Sequence, residues 1–299
     1  MTALLLSLEG TDAGRQAALW LALLAAFSHA LLGALQKGRF DPWLMRGGID
    51  LAYAVMALPF ALFVVPWPDP HMWPILAGAF LIHAGYKTAQ AATYARGAYT
   101  VVYPVVRGTG PLVTVLGAGL VFGETFAPGQ WLGLGVLLAG IFGLALYNLR
   151  HVTENRDTLV PALGLAVLTG GFVAAYTTYD AWAIRQPPDP FTFLAWFFLL
   201  DGTLMPLLMR RRLAALPHAD RWPFAKKAVL GALVAYISFG SILIATRIGN
   251  VGEAAVLRET STVFAAAIGW LMLDETTGPR RVALMGLIAA GAVMVKLAG

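Results

Sequence analysis

The sequence predicts an all-α polytopic membrane protein: ten transmembrane helices, arranged as two inverted five-helix repeats around a central cavity. Three observations predict it. Of 299 residues, 59% are hydrophobic and 12% charged, with a mean hydropathy of +0.71, which lies outside the balance of a water-soluble domain. About ten windows of roughly 20 mostly apolar residues, the length a hydrocarbon core demands, follow one another through short connections. The end of the first half also aligns with the end of the second without a gap.

Taken in order, the chain opens with MTALLLSLEG, which lacks a basic stretch ahead of its short apolar run. Residues 1–16 therefore read as an N-terminal segment with no cleavable signal peptide. The first window, Ala17–Gln36, carries His29, Gly33 and Gln36 on one face. The second, Leu44–Val65, follows Asp41-Pro42. The third, Trp73–Ala95, is the most polar: His83, Tyr86, Lys87, Gln90 and Tyr94 fall on one helical stripe, with Leu81, Ile82, Ala84, Ala89 and Ala92 around it. The fourth, Ala98–Phe122, sets Tyr99, Tyr103 and Arg107 on a ridge of four-residue spacing. The fifth, Pro128–Asn148, has Gly135, Ala139 and Gly143 at the same spacing, which suits close helix approach in a scaffold or a homo-oligomer surface.

The second half repeats this order. Its windows are Pro161–Ile184, with Tyr176, Tyr179 and Asp180; Pro190–Met209; Lys226–Thr246, with Ser238 and Ser241; Gly252–Leu273, with Arg258; and Pro279–Leu297, with Gly286 and Ala290. Pro128, Pro161, Pro190 and Pro279 suit a first helical turn, where no partner for the missing N–H is needed. At a constant offset of 151 residues, Arg107 pairs with Arg258, Glu124 with Glu275, Pro128 with Pro279 and Gly140 with Gly291; Asp41-Pro42 matches Asp189-Pro190 at 148. Residues 17–148 and 161–299 are thus two copies of one unit, joined by a linker at 149–160. Five is odd, so the second copy enters the bilayer from the opposite side, and such repeats place a substrate site at their interface.

These residues resemble the drug/metabolite transporter superfamily and its EamA-type members. The segment ending each repeat carries the likeness: Pro111, Gly123-Glu124, Gln130 and Gly133, Gly135, Gly140 in the first copy. The second copy departs, with Thr262 at the proline position and Asp274-Glu275 for Gly-Glu. The resemblance implies export or exchange of small metabolites, with bacterial amino-acid exporters of the YddG type as one branch, and a location in the bacterial inner membrane.

Arg107 lies about ten residues into its helix, near the middle of a hydrocarbon core of about 30 Å. A cation there needs a partner or a wet cavity. One reading is structural, with the guanidinium bonded to carbonyls and to Asp50, Asp201 or Glu259; the other is binding of an anionic group. His83, Tyr86, Lys87, Gln90, Tyr99, Tyr103, Arg107, Tyr176, Ser238, Ser241 and Arg258 form the candidate substrate-binding set. Lys87 and Arg107 would hold a carboxylate, the tyrosines would flank the remainder, and His83 would couple transport to protons. Packing tyrosines and a bonded core histidine are the plain alternatives.

The leading function is a secondary transporter exporting a small metabolite, foremost an amino acid, including the aromatic ones, by alternating access. An exporter of drugs, quaternary amines or another metabolite class is the alternative. A membrane-embedded enzyme on lipid-linked substrates stands lower, because HExxH, GxSxG and phosphate-cradling GxxxxGK[ST] motifs are missing from the sequence. A non-transporting receptor stands lower still, since the loops are short. No cofactor or metal site is predicted, and with no cysteine there is no thiolate site. The net charge of +5 sits largely in loops and reads as orientation signal, with no nucleic-acid partner. Odd-numbered connections hold most of it, including Lys37, Arg39, Arg156 and Arg210 to Arg212, which puts both termini in the periplasm.

Overall fold

The computed structural model describes residues 2–36, 40–96, 99–150, 159–272 and 278–299. Lys37, Arg39, Arg156, Glu275 and most of the 149–160 linker lie outside them. Regular structure among the described residues is helical throughout: α1 (Thr2–Ser7), α2 (Asp12–Gln36), α3 (Pro42–Phe63), α4 (Met72–Arg96), α5 (Tyr99–Phe122), α6 (Pro128–Leu149), α7 (Leu159–Ala183), α8 (Pro190–Asp201), α9 (Leu204–Ala214), α10 (His218–Ile248), α11 (Val251–Arg258), α12 (Ser261–Met272) and α13 (Pro279–Leu297).

Seven stretches among the described residues are long and apolar enough to cross a membrane: α2, α3, α5, α6, α7, the α8–α9 stretch and α10. The chain is a multi-pass membrane protein. α4 falls short of that measure because His83, Lys87 and Gln90 interrupt its apolar run.

The helices depart from the expected windows in four places. A short helix, α1, occupies part of the segment read as 1–16. The seventh window divides at Gly202-Thr203, where a Cβ on Gly202 would stand 2.6 Å from the Ala54 Cβ and 2.7 Å from the Asp50 carbonyl oxygen; the backbone approaches α3 too closely for any side chain. The ninth divides at Glu259-Thr260, within the polar run from Arg258 to Thr262. The eighth starts early, at His218, because its first turns are polar and hydropathy does not register them; Asp220 in that turn favours the positive helix start.

The helices sort into two compact units, each drawing on both halves of the sequence: residues 1–81 with 181–248, and residues 82–180 with 249–299. In the first, α2 packs on α10, and α3 on α8, α9 and α10. Ala22, Ala25 and Ala26 are wholly buried on α2, and Ser238 on α10 donates to the Ala25 carbonyl at 3.1 Å. α3 and the α8–α9 stretch run antiparallel: Thr192 bonds the Pro66 carbonyl, the Tyr53 hydroxyl donates to Asp201 at 2.5 Å, and Gly47 faces Met209. Asp41 and Asp189 cap α3 and α8, each accepting a backbone N–H at 3.0 Å. Asp50, wholly buried, is paired with Arg46 at 2.7 Å.

In the second unit α6 and α13 also lie antiparallel, and their contacts are reciprocal. A Cβ on Gly140 would meet Leu284 and Ile288; one on Gly291 would meet Gly133 and Leu137. Those partners are each other's counterparts at the 151-residue offset, so the two helices touch through the same positions, as across a two-fold axis. Gly135 and Gly286, by contrast, are exposed, and a Cβ on either would have nothing within 4 Å. Of the expected close-approach stripe Gly143 does meet α13, where a Cβ would stand 2.7 Å from Leu284 Cδ2; the rest of the contact falls on Gly133, Gly140 and Gly291, because a four-residue repeat of small residues does not say which face meets the neighbour.

Candidate functional site

The centre of the second unit forms where α5 meets α11. Arg107, 7% exposed, comes from α5; Arg258 and Glu259, 7% and 3% exposed, come from the end of α11. The Arg107 Nε stands 2.9 Å from Glu259 Oε2, an ion pair whose two atoms are not aligned as a hydrogen bond. Arg107 Nη2 donates to the Arg258 carbonyl at 3.3 Å and to the Ser261 hydroxyl, while its guanidinium carbon lies 6.0 Å from the Tyr103 ring centroid. Of the three acids that could have partnered Arg107, Glu259 does so. Asp50 and Asp201 are held in the other unit by Arg46 and Tyr53.

The local backbone explains why a cation belongs there. Pro111 has no N–H, so the Arg107 carbonyl four residues before it has no helical donor. At the matching place in the second copy stands Thr262, whose N–H turns to Glu259 at 3.0 Å, while Val263 turns to Thr260 at 2.9 Å. These tightened i→i−3 bonds end α11 and release the Arg258 carbonyl, which Arg107 takes up. A proline in one copy and a helix break in the other thus uncouple equivalent carbonyls. A cation at the carbonyl end of α11 also suits the helix dipole.

Around this centre, Tyr176 on α7 takes a hydrogen bond from Arg258. Its ring lies 4.6 Å from that of His83 and 5.1 Å from that of Tyr86, both on α4. His83 Nε2 meets Asp180 Oδ2 at 2.8 Å, so this histidine is hydrogen-bonded to a carboxylate in the core. Gln90 donates to the Tyr86 hydroxyl at 2.6 Å and reaches toward Tyr94. Lys87 is 7% exposed on the same helix. The α4 stripe, Tyr103, Arg107, Tyr176 and Arg258 are therefore assembled within one compact unit. Ser238 and Ser241 are buried in the other, and Ser238 serves the α2–α10 contact. The side chain of Tyr99 lies outside the described ones.

Two residues of this region stand outside the candidate set that the sequence supplies. Glu259 enters there only as one of three acids open to Arg107, although a charge beside Arg258 in an apolar window is signal enough. Glu124 enters as part of a motif. Gly123 adopts φ +69°, ending α5 in a left-handed turn, and the turn aims Glu124 at the start of α11, where its carboxylate accepts Val251 N–H at 2.6 Å and Gly252 N–H at 2.9 Å. The Gly-Glu pair is a turn followed by a cap.

Residues 160–297 match the family model described as the EamA-like transporter family. The match covers a little under half of the 299-residue chain and falls on its second half. Comparison with curated proteins gives no match. Among solved structures, one described as the crystal structure of a protein aligns with this chain at a TM-score of 0.76 and 19% identity, covering 96% of this chain and 98% of that one. At that identity the likeness is one of fold alone, and it runs almost end to end.

Proposed function

We propose that the protein is a secondary transporter in which two inverted five-helix repeats, ten spans in all, alternate access to a central cavity and export a small carboxylate-bearing metabolite, an amino acid in the leading case. The reading rests on one observation above the others: α4, α5, α7 and the broken α11–α12 stretch bring two guanidinium groups, a lysine, a histidine and three tyrosines together inside a chain otherwise built of apolar helices. Buried cations in a bilayer protein sit on substrate or ion pathways, and interrupted helices are where such pathways are built. The antiparallel, reciprocal packing of α6 on α13 supports inversion, since helices that match at the 151-residue offset run in opposite senses. Tyrosine rings beside the cations suit an aromatic amino acid. The bacterial inner membrane and periplasmic termini follow from the resemblance and the charge bias.

The test is counterflow in proteoliposomes preloaded with single amino acids. Saturable exchange of radiolabelled L-phenylalanine or another amino acid, lost in Lys87→Ala and Arg258→Gln, supports the reading. Exchange confined to quaternary amines, or chemical conversion of the solute, would overturn it.

A further inference from the structure

Where α5 meets the end of α11, two arginines meet one carboxylate. Arg107 and Arg258 are both buried, and Glu259 is the carboxylate that faces them at the end of α11. Glu259 stands within ion-pair distance of Arg107. The Arg258 side chain donates a hydrogen bond to the neutral hydroxyl of Tyr176, and its Nε, shut off from solvent, has no partner among the described residues. Four residues on, just past the break, the Thr262 hydroxyl oxygen, shut off from solvent as well, is also without a partner among them. A buried polar atom left unpaired costs about 1–3 kcal/mol, and a buried charge more, so two of them four residues apart ask for something that bonds both.

We infer that Arg258 and Thr262 form an oxyanion subsite that takes the carboxylate of the transported solute, with Tyr176 alongside, and that Arg107 is a positioning residue which holds the helix break open and does not touch the solute. The inference rests on the transporter reading and assigns its substrate-facing charge. An arginine fork with a hydroxyl four residues on matches the two oxygens of a carboxylate, the arginine N–H groups and the threonine O–H all donating. It also accounts for the departure at Thr262: the copy that keeps Pro111 presents no hydroxyl there, while the copy bearing the unpaired arginine nitrogen does. Arg107 is already committed to Glu259, the Arg258 carbonyl and Ser261.

The experiment uses full-length protein in detergent and measures thermal stabilisation by matched probes: L-phenylalanine and phenylacetate, which carry the carboxylate, against phenylacetamide and phenethylamine, which do not. Stabilisation by the two carboxylates alone is expected, with affinity reduced at least about tenfold in Arg258→Gln and about threefold in Thr262→Val, and partly kept in Arg258→Lys, in line with the loss of one charge-assisted or one neutral hydrogen bond. Should Arg258→Gln fail to fold, the Thr262→Val and Arg258→Lys variants carry the comparison. Unchanged phenylacetate affinity in Arg258→Gln and Thr262→Val overturns the subsite, as does tighter binding of phenethylamine, or no stabilisation by any probe. Phosphatidylglycerol retained by native mass spectrometry in wild type but not in Arg258→Gln overturns the solute assignment in favour of a lipid phosphate. Proteoliposome flux separates the two levels: amino-acid flux intact in Arg258→Gln sinks the subsite and leaves the carrier standing, whereas carboxylate binding without flux of any solute sinks the carrier and leaves the subsite standing.

Discussion

Replacing Glu124 with alanine removes the carboxylate that closes the start of α11. Two backbone donors, on Val251 and Gly252, lose acceptors now at 2.6 and 2.9 Å. Hydrogen bonds to a charged group contribute about 1.5–3 kcal/mol each when buried. Glu124 is half-exposed, so water recovers part of that, and a net loss of about 2 kcal/mol is the working figure. For a chain of this size it corresponds to a fall in Tm of about 4–8 °C. Glu124→Gln keeps one neutral acceptor and should lose about half as much, given that neutral bonds contribute about 1 kcal/mol. Gly123→Ala attacks the same contact from the backbone, forcing a side chain into φ +69° at about 1–2 kcal/mol. The assay is scanning fluorimetry of purified protein in one detergent at two scan rates, since irreversible unfolding would make the midpoint rate-dependent. If Glu124→Ala melts with wild type, the cap contributes nothing and the structural account of the Gly-Glu motif is wrong.

Further outcomes are expected elsewhere. Gly291→Val should destabilise strongly, by at least about 3 kcal/mol, because even a Cβ there would come within 2.4 Å of the Leu137 backbone nitrogen; Gly286→Val, with nothing within 4 Å, should melt as wild type. Glu259→Gln should lower stability by about 3–5 kcal/mol, since it leaves the buried Arg107 guanidinium without its carboxylate; a mild effect would mean that water already reaches it. Tyr53→Phe should lose about 1–3 kcal/mol by removing a hydrogen bond to the buried Asp201 carboxylate, measurable by the same fluorimetry, with transport by the surviving protein unchanged because this bond lies in the first compact unit. Asp180→Asn should leave amino-acid counterflow measurable but shift its pH profile if the His83–Asp180 pair takes part in proton movement; an identical profile would confine that pair to packing.

Much of this protein is legible in one dimension. Hydropathy locates the helices because lipid tolerates only apolar windows of fixed length; the starts at Pro128, Pro190 and Pro279 fall on the expected prolines, while α3 and α7 begin two residues ahead of the expected Leu44 and Pro161. The kinship of Arg107 with Arg258, and the need for a buried partner, follow from spacing and from the cost of a charge in hydrocarbon. What tertiary structure alone decided is which acid answered, which glycines touch and where a helix breaks. Asp50, Asp201 and Glu259 are chemically equivalent in a sequence, and only packing gives Asp50 to Arg46, Asp201 to Tyr53 and Glu259 to Arg107. Gly135 and Gly140 look alike on the page, yet a helix has one face toward its neighbour. The break at Glu259-Thr260 has no proline to announce it, because it is held by long-range bonds from Arg107 to the Arg258 carbonyl and the Ser261 hydroxyl, and local propensity carries no record of a partner 151 residues away.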